Sequence, residues 1–170
     1  MLSAAECSTE HCLLLPHRRC SPSRTSILTG RYPIRYGLLH HTYNMDEEFG
    51  LYLNETLLSV AMRTAGYVTA TVGKMHIGSS HWGMTPPGRG FDFSPSYFLS
   101  GEEDYFTRVT AAGGFKGIDA RNGTHAAPVT GEYSAFQNAR AAEDLIRNHK
   151  ASDSQKPLFL YYASQDDHSP

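Results

Sequence analysis

Twice in this chain a helical apolar period is followed by a short strand-like run, and that order constrains the fold more than any other feature. Leu57, Leu58, Ala61, Met62 and Ala65 recur at helical spacing between Glu55 and Ala65, and Gly66 supplies the stop. Tyr67 to Val72 follows at once with the β-branched content of a strand, and Gly73 to Gly78 reads as the loop beyond it. Further on, Ser134 and Gln137 stand at capping-box spacing, and Phe136, Ala139, Ala142, Leu145 and Ile146 mark the inward stripe of another helix. Pro157 to Ala163 then reads as a buried strand. Helix, strand, helix, strand predicts an α/β layer fold with a mostly parallel sheet flanked by helices. Residues 79–131, rich in Gly, Pro and aromatics, predict long loops with short strands, and residues 1–19 read as an irregular N-terminal segment.

With 170 residues, 40% hydrophobic and 19% charged, the chain suits one globular domain rather than a disordered segment. A net charge of -2 supplies no field to gather nucleic acid, so any bound anion must be held by a few placed cations. No apolar run reaches the length of a membrane span, and Leu13 to Leu15 are too short for a signal peptide core. Cys7, Cys12 and Cys20 are too few and too irregular for a disulfide framework or a zinc site. Asn54-Glu-Thr56 and Asn122-Gly-Thr124 are N-glycosylation sequons, which suit a secretory protein.

Three polar clusters fall where an α/β fold places ligands. Ser21 can act as N-cap, Pro22 suits the first helical position and Gly30 the residue past the end, so Cys20 and Arg24 belong to the mouth of a short helix. Lys74 and His76 follow one strand, and His168 follows the other. Crevices beyond the carboxyl ends of strands are the binding sites of open α/β sheets. A forked guanidinium, a point-charge ammonium, two imidazoles and a thiol at a helix N-terminus suit attack on a sulfate, phosphate or carboxylate centre. Taken singly, each has an ordinary explanation: a buried thiol, a solvated loop lysine, a turn histidine. Asp166 and Asp167 read as solvated loop carboxylates.

The run Cys20-Ser-Pro-Ser-Arg24 through Leu28-Thr-Gly-Arg31 resembles the signature of type I, formylglycine-dependent sulfatases. Gly73-Lys-Met-His-Ile-Gly78 is similar to the second signature of that family, and Gly88-Arg-Gly-Phe-Asp92, Pro157 to Tyr161 and His168-Ser-Pro170 resemble later segments in the same order. Gly30 to Leu38 and Gly101 to Tyr105 look most like the arylsulfatase B group. The resemblance implies that residues 20–170 are part of an alkaline-phosphatase-like sulfatase catalytic domain, with its first strand and C-terminal portion missing from this chain.

It also implies a chemistry. Cys20 would be oxidised to formylglycine by the formylglycine-generating enzyme in the secretory pathway, placing the protein in a lysosomal or extracellular compartment. The hydrated aldehyde attacks the sulfur of a sulfate ester, carried by an aryl group or a sulfated glycan, and then expels sulfate. Arg24 steadies the hydrate, Lys74 bridges hydrate and sulfate, His76 favours deprotonation, and His168 contacts the sulfate and protonates the leaving oxygen. The family's calcium ion would touch residue 20 as formylglycine, but its Asp and Asn ligands have no counterpart in this sequence. Two alternatives follow: a catalytically incompetent fragment, and a phosphonate or phosphodiester hydrolase of the same superfamily.

Overall fold

The computed structural model describes residues 20–38, 41–44, 46–99, 105–106, 109–112, 115–127, 130–152 and 155–164. The irregular segment expected over 1–19, Asp166, Asp167 and His168 lie outside the described residues. Helix α1 spans Cys20–Thr29, a 3-10 turn covers Pro33–Tyr36, and α2 spans Leu58–Thr64. Strands β1 (Val68–Lys74) and β2 (Phe93–Phe98) come next. A hairpin of β3 (Val109–Ala112) and β4 (Phe115–Ile118) precedes the short strands β5 (Ala120–Asn122) and β6 (His125–Ala126). Helix α3 (Ser134–Ala151) leads into β7 (Leu158–Ala163).

Five strands form one sheet in the order β6-β5-β2-β1-β7, while β3 and β4 pair separately. β1 sits between two parallel partners, with Val72 opposite Ser96 of β2 and Tyr162 of β7. β5 joins β2 antiparallel, and β6 joins β5 likewise, so the sheet is parallel at its core and antiparallel on one flank. A central parallel strand is covered on both faces, and residues 69–74 are all buried. Its threonines are tolerable there because each hydroxyl donates locally: Thr69 to the Gly90 carbonyl at 2.8 Å and Thr71 to the Tyr161 carbonyl at 3.2 Å. One core cluster joins Leu28 of α1, Tyr97 of β2 and Met75 and Ile77 beyond β1, with Phe159 and Tyr161 of β7 packed against it.

Several expectations need correction. α1 begins at Cys20, so Ser21 is inside the first turn rather than its N-cap, and its hydroxyl accepts from the Tyr43 N–H instead. The helix placed at 55–65 is the shorter Leu58–Thr64; of the expected apolar stripe Leu57 is buried just before it, Leu58 is 39% exposed, and the buried member of the helix itself is Ser59. Ser59 Oγ donates to the Arg89 carbonyl at 2.5 Å, and that bond sets which side of α2 faces inward. Gly73 and Lys74 belong to β1, not to the loop after it. The region 79–131 holds β2, a full partner of the central strand, where short strands among loops were expected. Ser134 lies within α3, whose N-cap is Tyr133 with no side-chain cap.

The stripe on α3 is also rotated. Ser134, Asn138 and Ala142 are buried, whereas Phe136 and Ile146 are 62% and 52% exposed. The cause is polar: Ser96 Oγ of β2 donates to Asn138 Oδ1 at 2.7 Å, a buried bond that anchors the helix through a residue a hydrophobic count passes over.

Candidate active site

Lys74 ends β1, and Cys20 opens α1; Arg24 ties the two together. One turn after Cys20, the Arg24 side chain returns along the helix, and its Nε–H donates to Cys20 Sγ at 2.9 Å. Its Nη1–H donates to the Lys74 carbonyl at 2.5 Å. A planar fork is suited to such a bridge, since two donors leave one rigid group in different directions. Cys20 is a half-buried free thiol.

Lys74 is only 2% exposed. Burial pushes its ammonium below the usual lysine range, Cys20 opposes that shift, Arg24 adds to it, and Asp119 opposes it again. A buried lysine with a lowered pKa costs stability wherever it must stay charged. That cost is fullest below its folded pKa and is relieved as pH rises toward the ordinary value of 10.5.

His76 is 6% exposed and holds a left-handed φ of 51°. Its backbone N–H donates to the Leu99 carbonyl at 3.1 Å, and its Nε2 donates to the Tyr43 carbonyl at 2.6 Å. So the structure brings Cys20, Arg24 and Lys74 together and fixes His76 two residues beyond Lys74, at the carboxyl end of β1. His168 lies outside the described residues. Asn54 is exposed in a turn, and Asn122 is exposed at the end of β5.

Three neighbours escaped the sequence reading. Asp119 is fully buried, accepts from the Leu99 N–H at 2.9 Å and faces Lys74 electrostatically. Tyr161 of β7 faces Arg24 electrostatically; burial raises its phenol pKa while Arg24 pulls it down. Tyr43 supplies the acceptor for His76. Of these only Tyr161 had a signal, because residues 159 and 161 share a strand face.

Calcium needs several hard oxygen donors. Among the described residues no group of three or more His, Cys, Asp or Glu comes together, and the side chains next to Cys20 are cations. These residues do not fit a calcium site. Nor is any described helix long and apolar enough to cross a membrane. Clefts of about 460 Å³, beside Phe93 and Asn122, and about 610 Å³, beside Ile146 and Tyr162, lie elsewhere, and Cys20, Arg24, Lys74 and His76 line neither.

The chain is similar to known proteins over most of its length. Mouse arylsulfatase J is 35% identical over 156 residues, which cover 89% of this chain and 25% of that protein. Human arylsulfatase A is 30% identical over 181 residues, covering 92% of this chain and 33% of that protein. Rat arylsulfatase G is 49% identical over 74 residues, covering 44% of this chain and 14% of that one. The crystal structure of Ps i-CgsB in complex with k-i-k-neocarrahexaose superposes with a TM-score of 0.73 at 26% identity, over 89% of this chain and 35% of that one. The chain thus spans a third or less of the length of these arylsulfatases. The Sulfatase family model matches residues 15–170, nearly the whole sequence, and the chain belongs to the sulfatase family.

Proposed function

We propose that the protein hydrolyses sulfate esters, with Cys20 as precursor of the nucleophile and Arg24, Lys74, His76 and His168 acting around it. The observation that supports this most is the Arg24 bridge, which sets the residue-20 side chain beside the end of the strand that carries Lys74. Oxidised to formylglycine, residue 20 would supply an aldehyde whose hydrate is an oxygen nucleophile toward sulfur.

The other residues act by charge and proton position. Arg24 Nε already points at the terminal atom of residue 20 and stabilises negative charge there. Lys74 carries an ammonium that burial disfavours, so an entering sulfate restores much of what desolvation removes. That makes it a sulfate-binding group. His76 accepts a proton from the attacking side, and His168 contacts the sulfate and protonates the leaving oxygen, a role that rests on its motif. Asp119 adds a smaller counter-charge to Lys74, after that of residue 20.

The substrate is an aryl or sugar sulfate, and the Ps i-CgsB complex with a neocarrahexaose favours the sugar. Its chemistry calls for the formylglycine-generating enzyme, for the secretory pathway with a lysosomal or extracellular destination, and for glycans at Asn54 and Asn122. The protein made in secretory cells is expected to release product from an aryl sulfate faster than from the matching aryl phosphonate. Faster phosphonate cleavage would replace this reading with the phosphonate hydrolase alternative, and no turnover of either would favour an incompetent fragment.

A further inference from the structure

Ser21, Tyr43 and His76 come from three separate segments and meet through two hydrogen bonds. The Tyr43 N–H donates to Ser21 Oγ at 3.1 Å across 22 residues of sequence. The carbonyl of the same Tyr43 lies 2.6 Å from His76 Nε2. A carbonyl oxygen can only accept, so Nε2 must be the nitrogen that carries hydrogen. In the neutral imidazole the lone pair then belongs to Nδ1, which becomes the basic end of the ring.

The backbone is arranged to hold this orientation. His76 sits at a φ of 51°, a left-handed conformation that is unfavourable for a non-glycine residue. Its N–H is tied to the Leu99 carbonyl just past β2. The ring is buried, so its bond to the Tyr43 carbonyl is made where water competes little. Ser21 is fully buried too, and its hydroxyl caps no helix end; it accepts from the Tyr43 peptide instead. Since Ser21 is the neighbour of Cys20 on α1, the backbone of one residue, Tyr43, links the helix bearing the nucleophile precursor to the histidine at the end of β1: its N–H bonds Ser21 and its carbonyl, one Cα further on, bonds His76.

We propose that Ser21 is a positioning residue, holding the Tyr43 backbone by its N–H so that the carbonyl of the same residue fixes His76 as the Nε2–H tautomer with Nδ1 as the proton acceptor. The proton-acceptor role rests on the sulfatase reading above; the tautomer itself does not.

The test is nitrogen-15 NMR of histidine-labelled 170-residue protein, which tells a protonated ring nitrogen from a lone-pair nitrogen by chemical shift. In the wild type, His76 is expected to give a hydrogen-bearing Nε2 and a lone-pair Nδ1. Ser21→Ala should shift the tautomer ratio about fivefold toward Nδ1–H, as loss of one hydrogen bond implies. Ser21→Thr, which keeps a hydroxyl, should restore most of the bias. A wild-type His76 protonated on Nδ1, or a ratio unmoved by Ser21→Ala, overturns the proposal. So does a wild-type His76 signal with no dispersion, because the clamp requires the fold. Should Ser21→Ala itself unfold, the wild-type tautomer and the threonine variant decide. Aryl sulfate turnover is measured in parallel. An intact tautomer with no turnover counts against the sulfatase reading alone, and turnover with the wrong tautomer counts against this proposal alone.

Discussion

Cys20→Ala is expected to lower kcat/KM for an aryl sulfate by at least about four orders of magnitude, the scale seen when an enzyme loses its nucleophile. The thermal midpoint should hardly move. Cys20 is half buried, and removing its sulfur leaves Arg24 with the Lys74 carbonyl as a partner. The separation of the two effects is the informative part. A loss of activity with an equal loss of stability would mean that Cys20 holds the fold rather than the chemistry. Steady-state kinetics together with a melting curve distinguishes these outcomes.

Gly73→Ala should do the reverse, destabilising the protein by about 4 kcal/mol or more. Gly73 has a φ of +95°, and an added Cβ would stand 2.1 Å from the Ala163 carbonyl oxygen. That oxygen belongs to the backbone of β7, so no side-chain rotation can relieve the clash. β1 and β7 would have to separate where they are paired, at the position next to Lys74. Gly66→Ala is the matching control, since Gly66 has a φ of +91° but nothing within 4 Å of its added Cβ. It should cost only the left-handed strain, about 1–2 kcal/mol. Chemical denaturation of both variants tests the contrast, and equal losses would show that backbone strain, not the close approach of two strands, is what Gly73 relieves.

How much of this was legible beforehand depended on whether a signal was local. The helix–strand pairs at 55–72 and 134–163 gave the layer architecture, because helical period and β-branched content need no knowledge of the partner. β2 was hidden: Phe93-Ser-Pro-Ser-Tyr-Phe98 has a proline and two serines in place of an apolar run, and the buried hydroxyl of Ser96 is answered by Asn138. The same pairing rotated α3 away from its hydrophobic stripe. Tertiary hydrogen bonds overrode the local pattern at both places.

The site divides along the same line. Cys20, Arg24, Lys74 and His76 stood out as motif residues with matching chemistry. Asp119 and the Tyr43 carbonyl did not, for different reasons. An aspartate between two short strands looks like any loop carboxylate until its burial beside Lys74 is known. A backbone carbonyl has no letter in the sequence at all.

Everything proposed for catalysis turns on what stands at the β-carbon of residue 20 when the protein is made in cells with a secretory pathway. Mass spectrometry of the peptide spanning Cys20, from protein made in such cells, measures it directly. An aldehyde, trapped by a carbonyl reagent at that residue, is the outcome expected here. An unaltered thiol at residue 20 in protein that turns over sulfate esters would contradict it.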